Sequence, residues 1–186
     1  MTGSTQTLVQ RTAALVADVR KLIETQADDT LRLPHAIGAT LGRHLQSPGL
    51  LDGVDLEPDP RGYRQVVLHA EPDGSFSIVA LVWLPGQATA VHDHLAWCVV
   101  GVVRGAESEV CYRLEATEGR CCLVTAGQQV NAEGTVQVLL PPGDIHRVTN
   151  DGPDVAVSLH IYGIDVNRVG SSIRRVYDGM EIVESR

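Results

Sequence analysis

Residues 86–105 read GQATAVHDHLAWCVVGVVRG, and the pair His92 and His94 inside them decides what the remaining chain must build. An extended strand places every second side chain on one face, so histidines one residue apart aim two imidazoles at one point without any loop rearrangement. Such a pair is half of a metal site. The run that follows, CVVGVVR at 98–104, is β-branched and ends on Gly105, which is strand chemistry closed by a turn.

Outward from this stretch the same texture repeats. Short β-rich runs occupy 64–70, 76–84, 96–104, 107–115, 120–126, 136–140, 145–149 and 155–162. Pro72-Asp73-Gly74, Pro85-Gly86, Glu118-Gly119, Pro141-Pro142-Gly143 and Asn150-Asp151-Gly152-Pro153 supply the turns between them. Many short strands at this spacing predict a mainly β sandwich or barrel. Upstream the pattern is helical. Leu8, Leu15, Val16, Val19, Leu22 and Ile23 recur at helical spacing over 5–26, with Arg11, Asp18, Arg20, Lys21 and Glu24 mostly between them. A second helix is expected from near Thr30, with Pro34 in its first turn, through Ile37, Leu41 and Leu45 to the stop at Ser47-Pro48-Gly49. His35 and His44 fall on this helix, where surface or packing roles are expected. PGLLDGVDLEPDPRG then reads as a linker or long loop. The expected organisation is one domain over 1–186, with N-terminal α-helices in 1–48, a barrel in 60–165 and a charged tail in 166–186 lying over the barrel surface.

Composition narrows the function. The chain has 186 residues, 44% of them hydrophobic and 20% charged, enough to bury one sizeable core. A formal net charge of -8 without any Lys- or Arg-rich run argues against nucleic-acid or acidic-membrane partners and leaves a small molecule as the expected one. The N-terminus has no basic segment leading into an apolar one, and no apolar run approaches the length of a membrane span, so a cytoplasmic protein is expected. Cys98, Cys111, Cys121 and Cys122 show no C-x-x-C spacing, which suggests neither a zinc knuckle nor a disulfide framework.

The third ligand candidate is His146, in PPGDIHRVTN, where a tight turn presents a strand start. Three imidazoles on two strands suit a first-row metal and leave positions open for substrate or oxygen. Gly86, His92, His94, Cys98 and Gly105 then resemble the first motif of the cupin superfamily, and Pro141, Gly143, His146 and Asn150 the second, with Gly134 one place off its leading glycine. The resemblance implies a double-stranded β-helix, or jelly-roll, barrel. One departure matters: Cys98 stands where most cupins carry a glutamate ligand. A metal without that carboxylate keeps its full positive charge and favours an anionic soft donor such as a thiolate.

With SLHIYG at 158–163 the resemblance narrows to the cysteine dioxygenase type I, or thiol dioxygenase, family, and it spans roughly residues 60–165. Ser158, His160 and Tyr162 alternate with Leu159 and Ile161 and therefore share one strand face. No nucleophile elbow or orienting acid accompanies Ser158, so a hydrolase triad is not the expected use. The family resemblance implies a Ser-His-Tyr relay beside an Fe(II) held by His92, His94 and His146, with both atoms of dioxygen added to a thiol sulfur to give a sulfinic acid. A fourth-ligand role for His160 is the alternative to its place in the relay. In mammalian-type members a cysteine at the position of Cys98 becomes joined to the relay tyrosine by a thioether, so a Cys98–Tyr162 link is implied as a possibility.

Substrate residues are less determined. Arg64 in GYRQVVLH lies near the position of the carboxylate-binding arginine of cysteine dioxygenases. HDHLAWCVVGVVRGAE, with Trp97, is more similar to the bacterial 3-mercaptopropionate branch, which uses an arginine further along; Arg168, Arg174 and Arg175 are the candidates. Cysteine, 3-mercaptopropionate or a larger thiol such as an ergothioneine-like compound remain open, as does a monomer against a small homo-oligomer. Two other functions compete. A metal-dependent cupin isomerase or sugar-modifying enzyme would want an acidic group near position 98, and a non-catalytic small-molecule-binding cupin would want a fourth protein ligand to close the metal's sphere.

Overall fold

The computed structural model describes residues 3–26, 29–117 and 120–184. The turn expected at Glu118-Gly119, and the side chains of 3–11 with Leu8 and Arg11 among them, lie outside the described residues. Two helices, α1 (Gly3–Gln26) and α2 (Arg32–Leu45), precede the strands β1 (Arg64–Ala70), β2 (Ser77–Trp83), β3 (His92–His94), β4 (Cys98–Arg104), β5 (Ala106–Thr117), β6 (Arg120–Ala132), β7 (Val136–Leu139), β8 (Ile145–Thr149) and β9 (Ala156–Tyr162). A single helical turn α3 (Val166–Val169) and two short strands, β10 (Ile173–Val176) and β11 (Ile182–Val183), complete the chain.

The strands form a double-stranded β-helix barrel of two facing sheets, one ordered β1-β2-β9-β4-β7 and the other β10-β3-β8-β5-β6-β11. Strand alternation divides the first sheet into two functional faces. Ile78, Ala80, Val82, Val99, Leu159 and Ile161 look outward and pack with Leu15, Val19, Ile37 and Leu41 of the helices. Val79, Leu81, Trp83, Cys98, Val100 and Tyr162 look into the barrel. Both faces are therefore covered, which is why β2 (SIVALVW) reads as a continuous apolar run. Each fully buried Leu or Ile contributes about 1.5–3 kcal/mol of apolar burial, so this helix-on-sheet layer is a principal source of stability. Gly101 permits the close approach: a Cβ there would lie 2.7 Å from Leu41 Cδ2 and 2.9 Å from Leu45 Cδ1.

Helix α2 begins two residues later than Thr30, at Arg32, whose N–H donates to Asp29 Oδ1 at 2.9 Å. The loop between α2 and β1 has no regular elements, yet Leu50 and Leu51 are buried beneath it. The tail departs from the expectation. It does not lie over the barrel surface but enters the ladder, β10 pairing antiparallel with β3 and β11 pairing parallel with β6. The physical reason is the shortness of β3: three residues leave an open edge, and Ile173–Val176 cover it.

Candidate metal centre

His92 and His94 point inward from β3, while Asp93 between them points away and accepts from Arg175 Nη2 at 2.8 Å and from the Tyr177 hydroxyl at 3.0 Å. The C-terminal strand β10 thus clamps β3 through its middle residue. β8 lies beside β3 with His92 and His146 in register. The motif glycines allow the turns that set these ends: Gly143, just before His146, has φ +106°, and Gly105 has φ +78° with Ala156 Cα 3.1 Å from where its Cβ would stand.

His92, His94 and His146 are buried and each offers a ligand nitrogen within 4.8 Å of the others. Their outward nitrogens are all occupied. Nδ1 faces the Ala90 carbonyl at 3.0 Å in His92, Asp144 Oδ2 at 2.8 Å in His94 and Glu109 Oε1 at 2.6 Å in His146. Protons held on Nδ1 by these acceptors leave the Nε2 lone pairs turned to the centre. His146 Nε2 is buried with no hydrogen-bond partner, an arrangement that costs free energy unless something is bound there. Three imidazole nitrogens with outer acceptors behind them fit a divalent first-row ion. Among the described residues, no fourth His, Cys, Asp or Glu joins the cluster.

Sequence reasoning missed Asp144 and Glu109. Asp144 stands two places before His146, and Glu109 lies on β5, which pairs with the His146 strand β8. Glu109 also accepts from Gln129 Nε2 at 2.8 Å and Asn131 Nδ2 at 3.1 Å. Burial pushes its pKa up, but the hydrogen bond from His146, with those from Gln129 and Asn131, more than reverses this and holds it at about 2.

On β9, Ser158, His160 and Tyr162 are buried rather than a solvated face. His160 Nδ1 lies 3.2 Å from the Tyr162 hydroxyl and 3.9 Å from Cys98 Sγ, and its Nε2 lies 3.0 Å from Ser158 Oγ. With both ring nitrogens engaged, His160 stands outside the ligand cluster. Trp83 Nε1 donates to Ser158 Oγ at 3.2 Å. Cys98 and Tyr162 sit opposite each other on β4 and β9, and burial holds both the thiol and the phenol well above their usual ranges.

Desolvation holds His92 and His160 neutral, at about 3, and pushes Glu107 up to about 7. An unfolded chain protonates the histidines below about pH 6.5, whereas the folded one resists until about 3, so stability falls as pH falls through that window. Glu107 acts oppositely, because the folded state holds its proton between about pH 4.5 and 7, and stability there falls as pH rises. Two histidines against one carboxyl leave about one net proton, or on the order of 1 kcal/mol per pH unit. The metal-free protein should therefore melt at lower temperature at pH 4.5 than at pH 6.5, measured by calorimetry. An unchanged or higher melting temperature at pH 4.5 would contradict these protonation states.

The three histidines, His160 and Tyr162 open into one cavity of about 60 Å³, whose wall also includes Tyr63, Gln65, Leu81, Thr89 and Ser172. No Arg or Lys lines it among the described residues. Arg64 belongs to the other face of β1, with Val66 and Leu68, and binds Asp55 Oδ2 and the Glu57 carbonyl at 2.7 Å each. The neighbour Gln65, of opposite parity, reaches the cavity instead. Trp97 packs against Gly163 and the helix-side core. Arg168 pairs with Asp165 and the Pro72 carbonyl, Arg174 is exposed, and Arg175 is committed to Asp93. The structure therefore brings none of these substrate candidates to the cavity.

Among solved structures, a cupin 2 conserved barrel domain protein from Salinispora arenicola is 22% identical, with 64% of this chain and 89% of that one covered and a TM-score of 0.44. An RmlC-like cupin from Desulfovibrio desulfuricans is also 22% identical, covering 63% and 96% at a TM-score of 0.44. None of the described helices is long and apolar enough to cross a membrane. The family described as cysteine dioxygenase type I matches residues 56–170, well over half of the sequence and the whole of the histidine and relay strands. The chain belongs to the cysteine dioxygenase type I family.

Proposed function

We propose that the protein is an Fe(II)-dependent thiol dioxygenase that converts a small three-carbon thiol, of the cysteine or 3-mercaptopropionate kind, to its sulfinic acid. The observation that carries this reading is the opening of the three-histidine cluster and the Tyr162–His160–Ser158 relay into one cavity. His92, His94 and His146 would hold the iron through Nε2. When bound, Fe(II) would acidify the substrate thiol and activate dioxygen.

The chain's own side chains do the rest. Tyr162, its phenol kept protonated by burial, donates a hydrogen bond to the reacting groups. His160, kept neutral, orients that phenol without adding a charge. Leu81, Trp83 and Val148 keep bulk water from the cavity wall. A narrow cavity of about 60 Å³ favours a small thiol over an ergothioneine-sized one. None of the described guanidiniums lines the wall, and the Gln65 amide, on the cavity-facing parity of β1, offers the polar end of the substrate a neutral donor. The wall composition therefore leaves cysteine and 3-mercaptopropionate as equal candidates. The register of Cys98 with Tyr162 supports a thioether formed with loss of two hydrogens to dioxygen.

Metal analysis of the purified protein, then oxygen uptake with cysteine, 3-mercaptopropionate and a larger thiol, tests the proposal. Bound iron, a product heavier by two oxygens and the highest kcat/KM for a three-carbon thiol are expected. Zinc alone with no uptake on any thiol would overturn the dioxygenase, and preference for the larger thiol would overturn the substrate class. Peptide mapping of the turned-over enzyme should find Cys98 and Tyr162 joined; finding both free would remove the thioether.

A further inference from the structure

Asp93 is the middle residue of β3, and its side chain is turned away from the two histidines that flank it. It is 1% exposed. Oδ2 of its carboxylate accepts from Arg175 Nε at 3.1 Å, from Arg175 Nη2 at 2.8 Å and from the Tyr177 hydroxyl at 3.0 Å, so all three donors come from the C-terminal tail. We propose that Arg175 and Tyr177 are positioning residues of the metal centre: by fixing Asp93 they set the roll of β3, so that docking of the tail and binding of a divalent ion by His92 and His94 strengthen each other.

The lever is the shortness of the strand. Among the described residues β8 meets β3 at one register pair, His92 with His146. The tail meets it along its whole length, with Val176 opposite His92, Arg175 opposite Asp93 and Ile173 opposite His94. Main-chain bonds carry the pairing past both ends: the Tyr177 N–H donates to the Val91 carbonyl at 2.9 Å, and the Leu95 N–H donates to the Ser172 carbonyl at 2.8 Å. Successive side chains of a strand leave on opposite faces, so a rotation that swings Asp93 swings both imidazoles with it. The second carboxylate oxygen, Oδ1, is buried without a partner, and the hold on this buried charge therefore rests on the three donors of the tail. The same segment also walls the centre, because Ser171, Ser172 and Ile173 line the cavity. An ion that requires both imidazoles in place binds the docked form more tightly, and by linkage it stabilises that form by the same factor.

The coupling rests on the reading of the three histidines as a metal centre and not on the reaction run there, so zinc serves as the probe. Strand β10 carries its own reporter: trypsin can cut after Arg174 only when that strand leaves the ladder. Saturating zinc is expected to slow this cut about tenfold in the native protein, followed by mass spectrometry. Arg175→Gln keeps the Arg174 site; it should bind zinc about tenfold more weakly, measured by competition with a chelating dye, and should lose most of the zinc protection. Tyr177→Phe, which keeps the packed ring and removes one of the three donors, should weaken zinc binding about threefold. The sign separates this role from simple electrostatics. Removing a positive charge by itself favours cation binding, so Arg174→Gln, at the exposed neighbour, should leave zinc affinity unchanged or slightly raised. Unchanged or tighter zinc binding in Arg175→Gln, or a tail cut at equal rates with and without zinc in the native protein, would overturn the role of the tail. A native protein that binds no zinc would overturn the metal centre itself, and the coupling with it.

Discussion

His92→Ala is expected to remove metal and catalysis together: metal content falls to background, and oxygen uptake falls by at least about 10³-fold. Two nitrogens do not make a facial three-nitrogen site, and the remaining pair, His94 and His146, are held by Asp144 and Glu109 in orientations that suit three. The fold should survive, because the strongest packing lies on the opposite face of the first sheet, where β2, β4 and β9 meet the helices. Elemental analysis and circular dichroism on one preparation check both points. Stoichiometric metal in a folded His92→Ala protein would mean that the binding site lies elsewhere.

Tyr162→Phe should separate what His92→Ala joins. The phenol is absent from the ligand cluster, so the substitution should leave metal content unchanged and lower kcat by about 10²-fold, the usual cost of losing one aimed donor at a reacting centre. His160 Nδ1 then keeps only Cys98 Sγ, at 3.9 Å, as a neighbour, and KM should change little. Steady-state oxygen uptake beside iron content measures the split. Loss of iron in Tyr162→Phe would place the phenol among the ligands, and an unchanged kcat would remove it from the chemistry.

Much of the site was legible because strand periodicity is local. His92 and His94, and again Ser158, His160 and Tyr162, share a face in any extended conformation, so their partnership needs no tertiary knowledge. The same rule, applied one residue differently, explains the failure at Arg64. Its type suited a carboxylate, yet Val66 and Leu68 belong to the helix-covered side and carry Arg64 with them, leaving Gln65 to face the cavity. Glu107 and Glu109 were open to the same reasoning and were passed over, because an acidic pair near a strand end resembles a solvated one until the strand is known to be enclosed.

Sequence alone therefore determined the barrel class, the N-terminal helical layer, the candidate histidines of the buried cluster and the polar face of β9, all of which follow from spacing and motif along the chain. Only tertiary structure decided which carboxylates stand behind the histidines, that the charged tail supplies the strand beside His92 and His94, and that none of the described arginines enters the cavity. Those facts depend on which strand edges are left open and which face of each sheet the helices cover. They are settled by pairings between residues as distant as Asp93 and Arg175.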